Sequence, residues 1–224
     1  MKPILKSFLI FIILSSMTSC FDVIDEINLK KDGSGDFLLT VNMSKSKTKL
    51  ESIMLLESFR DRKIPSKQDV ENYIDDLALF LQNSKGLSNV KRTIDFEEFI
   101  FTIGFDFKSV ENINKAIEAL TLKNTNKPKS FNLRYSYDAS TKQYSRNFIP
   151  NAVDQTNFEK LGAEDKNMFN EAIYISISRF DAMISTCSNK KAKISKSGNA
   201  VMIRSSATNL LREKNNISNT VQLK

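Results

Sequence analysis

The chain has 224 residues and contains neither histidine nor tryptophan. Without an imidazole there is no Ser-His-Asp or Cys-His nucleophile, no histidine general base and no zinc site with histidine ligands. Cysteine is almost as scarce, with Cys20 and Cys187 the only two. No apolar run approaches the roughly 20 residues that a bilayer-spanning helix needs, and there is no internal repeat or low-complexity segment. What is present is ordinary for a folded protein: 41% hydrophobic and 26% charged residues, with 33 basic and 26 acidic side chains giving +7. A disordered chain would show fewer apolar residues and a larger charge imbalance.

The first residues, MKPILKSFLIFIILSSMTSC, place Lys2 and Lys6 before the apolar run Phe8 to Leu14 and follow it with small and polar residues. That order of basic, hydrophobic and cleavage regions is a secretory signal peptide. Within it, Met17-Thr18-Ser19-Cys20 resembles the bacterial lipoprotein signal: small Ser19 lies before the cut, Cys20 after it, and apolar Met17 stands where Leu is usual. The resemblance implies cleavage after Ser19, a thioether-linked diacylglycerol on Cys20, and membrane attachment through acyl chains. The expected organisation is therefore a cleaved signal at 1–19 and a single lipid-anchored domain at 20–224, localised to the cell envelope. Its charge is +5, because Lys2 and Lys6 leave with the signal. With Cys20 lipidated, Cys187 has no intramolecular disulfide partner, so stability has to come from a core. In the sorting rule this pattern resembles, Phe21 after the lipidated cysteine favours the outer membrane over the inner. The acids Asp22, Asp25 and Glu26 offer a second reading, a surface-export signal.

Beyond the anchor the pattern alternates between periods of 2 and 3.6 residues. Val23 to Leu29 and Phe37 to Met43 flank Asp32-Gly33-Ser34-Gly35, a β-hairpin. The carboxylate ladder and later bidentate glutamate of a calcium loop are missing from DGSGD. Ser44 to Phe59 shows helical spacing through Leu50, Ile53 and Met54, extended by Leu56, with Ser44 or Ser46 as N-cap. A second helix starts at Ser66, carries Val70, Tyr73, Ile74, Leu77 and Leu81 on one stripe, and ends at Gly86. Asn89 to Phe96 and Phe99 to Phe107 read as strands. The second alternates Phe99, Phe101, Ile103, Phe105 and Phe107 against Thr102, Gly104 and Asp106, as expected for the core side of a half-buried sheet. Ser109 to Leu122 is a third helix. Phe131 to Tyr137 with Lys142 to Phe148, and Ala192 to Ile194 with Ala200 to Ile203, form two further hairpins. Between them 150–163 is a loop or short helix, 164–171 is ambiguous, and Ile173 to Phe180 alternates as a strand. The tail suggests a short helix at 208–214 and a strand at 221–223. The fold class is α+β, a mixed, mainly antiparallel sheet of hairpins with about three packing helices.

The segments INLKKDGSGDFLLTVNMSKSKTKL (27–50) and SNKKAKISKSGNAVMI (188–203) resemble uncharacterised bacterial envelope lipoproteins related in pattern to the LppM-like domain. The resemblance covers about a third of the mature chain. It rests on turns and strand alternation, and implies an exported, membrane-attached α+β domain with no assigned reaction.

Constellations that could carry chemistry are few. A Ser-Lys dyad is the main nucleophilic option left, at Ser44/Lys47, Ser46/Lys49 or Ser188/Lys191. Its lysine would have to be desolvated, and the companion motifs of penicillin-binding proteins are missing. Cys187 lies near Lys190 and Lys191, which could lower its pKa; the alternative is a half-buried structural thiol. Asp75-Asp76 and Glu97-Glu98 are adjacent pairs whose side chains point apart. Lys190, Lys191, Lys193, Lys196 and Arg204 cluster late in the chain, and Lys45, Lys47 and Lys49 open the first helix. No nucleic-acid fingerprint accompanies them, and anionic headgroups are the better match. The expected function is thus a non-enzymatic binding or assembly component of the envelope. It is held by Cys20, uses no cofactor or metal, binds no nucleic acid, and has the membrane and an envelope protein as partners. The alternatives are a carrier of a lipid or other apolar ligand, with the Phe99 to Phe107 face lining a cavity, and a Ser/Lys hydrolase.

Overall fold

The structure is a computed structural model that describes residues 21–59, 62–124, 131–150, 152–212 and 217–224. The signal segment 1–19 and Cys20 lie outside the described residues. Strand β1 (Asp22–Leu29) buries Asp25, Ile27 and Leu29 on one face, as period-two alternation requires. It turns through Lys30–Ser34, where Gly33 takes φ 84° and the Asp32 carboxylate accepts hydrogen bonds from the Ser34 amide and hydroxyl. Asp32 is thereby a turn residue. β2 (Gly35–Asn42) returns antiparallel, with Leu29 opposite Gly35 and Asp22 opposite Asn42.

The helix expected over 44–59 is shorter than its sequence pattern. A 3-10 turn (Ser44–Ser46) leads into α1 (Lys47–Met54), whose Ser46 N-cap makes no side-chain cap bond. Leu50, Ile53 and Met54 exhaust the apolar stripe, and Leu55, 87% exposed, points off it, so no packing holds another turn. A small ladder follows, β3 (Ser58–Phe59) with β4 (Arg62–Lys63). α2 (Lys67–Gln82) starts with a capping box in which the Ser66 hydroxyl accepts from the Asp69 amide and the Asp69 carboxylate accepts from the Ser66 amide. It ends at Asn83; Gly86, at φ 84°, instead makes the turn into β5 (Leu87–Asp95). Then come β6 (Ile100–Phe107), α3 (Val110–Asn124), β7 (Phe131–Asp138) and β8 (Gln143–Pro150). The segment 150–163, read as a loop or short helix, contains the helix α4 (Ala152–Glu159), and the ambiguous 164–171 lies in a second helix, α5 (Ala163–Glu171). β9 (Ile173–Phe180) precedes the unforeseen β10 (Ile184–Cys187). The remaining elements are β11 (Lys193–Ile194), β12 (Ala200–Ser206), α6 (Ala207–Arg212) and β13 (Asn219–Leu223).

The strands form a seven-stranded sheet, β11-β12-β9-β1-β2-β6-β5, and an antiparallel four-stranded sheet, β10-β13-β8-β7. Every pairing is antiparallel except β1 with β9, so the architecture is α+β with a mixed sheet. The two sheets share a core. Ile27, Leu29, Phe105 and Phe107 from the first meet Tyr135, Tyr144 and Val221 from the second, with Val110, Ile113 and Ala116 of α3 closing one side. A second cluster, Phe148, Ile203, Leu210 and Ile217, sits under α6.

A polar group also crosses this core. The Arg146 guanidinium, 2% exposed, donates to Asp25 Oδ2 at 2.8 Å, to the Tyr174 hydroxyl at 2.9 Å and to the Ile217 carbonyl at 3.2 Å. The Tyr135 hydroxyl donates to the same Asp25 oxygen at 3.0 Å. Burial disfavours the Arg146 charge, but the Asp25 carboxylate beside it holds the guanidinium well above its ordinary pKa. Burial, and then Asp25, push the Tyr135 and Tyr174 hydroxyls up. Asp25 Oδ1 and Arg146 Nε have no partner among the described residues.

Candidate functional site

Alternation in β6 puts Phe101, Ile103, Phe105 and Phe107 on one face of the large sheet, with Phe99 leading in from the turn. That face divides in two. Phe105 and Phe107 pack under the second sheet and α3, Phe105 stacked on Phe37 with ring centroids 5.3 Å apart. Phe99, Phe101 and Ile103 instead line a cavity of about 540 Å³ between the sheet, α1 and α2.

Each wall follows from local sequence. β2 and β6 supply the floor, with Leu39, Val41 and Met43 beside the three β6 positions. α1 supplies Leu50, Ile53 and Met54, at the i, i+3, i+4 spacing that makes one helix face. α2 supplies Val70, Tyr73, Ile74 and Leu77, whereas Leu81, farther along the same stripe, is in the closed core. Phe99 is 3% exposed and takes φ 53°, and its carbonyl accepts the Met43 amide, pinning the floor at the end of the sheet where the chain enters β1. Phe96 packs edge-on to Phe101 at 5.5 Å under the Lys67 ammonium. The cavity exists because α1 is too short and too far out to fill the space it covers: none of its residues is buried. Tyr73, one of the lining residues, is 65% exposed and marks the open side.

Among the lining residues the only hydroxyls are those of Tyr73 and Thr102, and none carries a charge. The cavity's size lies in the range of small-molecule sites. Chemically the site can desolvate an apolar chain and can do little else.

The other candidates occupy different places. Lys47 forms an ion pair with Glu98 at 2.9 Å, and the hydrogen bond its ammonium donates to that carboxylate raises its pKa, the opposite of what a lysine base requires. The Ser44 hydroxyl donates to Asn42, and the Ser188 hydroxyl donates to Asn219 and accepts the Thr220 amide. Ser46 is buried in the 3-10 turn and Lys49 is exposed on α1. Cys187 is half-buried and its thiol is pushed up by burial, matching a structural thiol. Asp75 pairs with Arg92, and Glu98 with Lys47, so one acid of each adjacent pair is taken up by its own cation. No group of three potential metal ligands occurs among the described residues. The acids read as an export signal are strand residues with cationic partners: Asp22 with Lys45, Asp25 with Arg146 and Glu26 with Arg179. Lys190, Lys191, Lys193 and Arg204 line a separate cleft of about 420 Å³. No helix among the described residues is long and apolar enough to cross a membrane.

No family model matches the chain, and no curated protein matches it. Among solved structures it is similar to the NMR structure of the folded domain of the Mycobacterium tuberculosis LppM protein. The identity is 8% over 91% of this chain and 89% of that one, with a TM-score of 0.43.

Proposed function

We propose that this protein is an envelope lipoprotein, tethered to its membrane through Cys20, that receives an apolar chain of the acyl type in the cavity between α1, α2 and the large sheet. The observation that carries the reading is the cavity itself: about 540 Å³ of apolar space with no charge in its lining. It favours the apolar-ligand carrier over a binding component whose Phe99 to Phe107 face is filled. The reading involves no covalent step. Tethering and cargo suit one another, because Met43, Phe96 and Phe99 lie at the end of the sheet where the chain enters β1, only two residues after Cys20.

Burying about ten methylenes supplies roughly 8 kcal/mol before the costs of association, which sets micromolar as the tightest affinity for a chain of that length. The test is photo-crosslinking with a fatty acid carrying a diazirine in its tail, added to the mature protein on vesicles. Crosslinks should map to peptides containing 41–54, 70–77 and 96–103 and be displaced by palmitate. Ile74→Glu, which places a charge in the half-buried wall, should lower the yield at least ten-fold. Crosslinks spread over the whole surface, or unchanged by Ile74→Glu, would refute the site.

A further inference from the structure

We propose that the cleft at the β11-β12 edge, lined by Lys190, Lys191, Lys193 and Arg204, is where the domain rests on an anionic bilayer surface. The inference depends on the tether at Cys20 and concerns a different site from the cavity. Besides those four cations the cleft is lined by Ala192 and Met202, with no carboxylate among them. All four cationic residues are exposed. No ion pair with a carboxylate holds Lys190, Lys193 or Arg204 among the described residues. Other cations beside the large sheet are neutralised locally, Lys45 by Asp22, Lys47 by Glu98 and Arg179 by Glu26.

Register then says which way this charge faces. β1 and β9 run in parallel with Asp22 opposite Ile173, and β12 runs back against β9 with Ser206 opposite Ile173 and Arg204 opposite Ile175. Arg204 is therefore level with Ile24, at the end of the sheet where the chain enters from Cys20. β11 pairs Lys193 with Met202 and Ile194 with Val201, so the chain before β11 runs toward that same end and carries Lys190 and Lys191 with it. β12 is two strands from β1, about 10 Å at the usual spacing, so the cations lie beside the tether. The opposite end carries Lys30 and Lys31 in the β1-β2 turn, and Lys142 in the β7-β8 turn; the two turns meet where the Tyr137 hydroxyl donates to the Lys31 carbonyl. Three cations with no carboxylate partner among the described residues, Lys190, Lys193 and Arg204, beside an acyl anchor match the phosphates of a negatively charged leaflet, and a basic patch next to an anchor orients the domain on that leaflet.

The test is residue-resolved lysine acylation of the mature, lipid-bearing protein on vesicles of phosphatidylcholine alone and with about 30% phosphatidylglycerol, with flotation of the same samples. Labelling of Lys190, Lys191 and Lys193 should fall at least three-fold on the anionic vesicles. It should recover in about 1 M salt, where the screening length is about 3 Å, while Lys30, Lys31 and Lys142 stay constant. Lys193→Gln with Arg204→Gln, both at exposed positions, should abolish the salt-sensitive protection of Lys190 and Lys191. Equal labelling on both compositions with flotation intact overturns the proposal. So does equal protection by soluble glycerol phosphate on neutral vesicles, which marks a free-anion site. Failure to float on either composition overturns the tether, and this orientation with it.

Discussion

Arg146→Met should destabilise the domain by about 3–5 kcal/mol, the cost typical of breaking a buried ion pair from one side. Arg146 is 2% exposed and joins Asp25, Tyr174 and Ile217. Its removal leaves the Asp25 carboxylate between two sheets without its cation, with the Tyr135 hydroxyl still donating to it. Replacing both partners by apolar residues, Asp25→Leu with Arg146→Met, should recover at least about half of that loss, because an uncompensated charge costs more than a filled apolar site. The recovery stops short of complete because the Tyr135 and Tyr174 hydroxyls lose their partner. Urea unfolding of the two single variants and the double variant measures this directly. A double variant whose loss equals the sum of the singles would mean that the pair is not coupled. The pair joins β1 to β8 in the other sheet, so it ties the two sheets together through the core.

Cys20→Ala should eliminate the covalent lipid. Two or more acyl chains, at about 0.8 kcal/mol per methylene, hold a protein on a bilayer almost permanently, whereas the cationic cleft alone gives a salt-sensitive contact. Wild-type protein should therefore stay in the membrane fraction through a wash at about 1 M salt and yield a diacylglyceryl-modified N-terminal peptide. The Cys20→Ala chain should show no modified peptide. It should either wash off or persist as a precursor that keeps Met1 to Ser19, two states distinguished by mass. Lipid-free, correctly cleaved wild-type protein would contradict the anchor.

Local signals made most of the fold legible. Asp32 and Gly33, Asp138 with Ser140, and Ser195 with Gly198 hold the turns of the three hairpins through contacts a few residues apart, and Ser66 with Asp69 starts α2. What escaped is non-local. β10 is four residues long and pairs with β13 more than thirty residues later, so nothing in its own sequence marks it as a strand. Asp25 and Arg146 are 121 positions apart, and from sequence Asp25 reads only as part of an acidic run. The Phe99 to Phe107 alternation was plain, yet a core face and a cavity face carry the same pattern. What separates them is the cover: the second sheet and α3 close over Phe105 and Phe107, while α1 stops at Met54 and leaves a cavity against Phe99, Phe101 and Ile103. Cys20 lies outside the described residues, so its reading rests on the spacing of the signal.

The most direct test of the account is native mass spectrometry of the mature protein released from its own membrane, beside the Ile74→Glu variant. The expected wild-type spectrum shows a chain beginning at Cys20 with a covalent diacylglyceryl group and one further, non-covalent acyl-chain lipid. Ile74→Glu should keep the covalent group and lose the second lipid. Wild-type protein carrying the covalent group alone, or a second lipid held equally by both proteins, would contradict the cavity as its binding site.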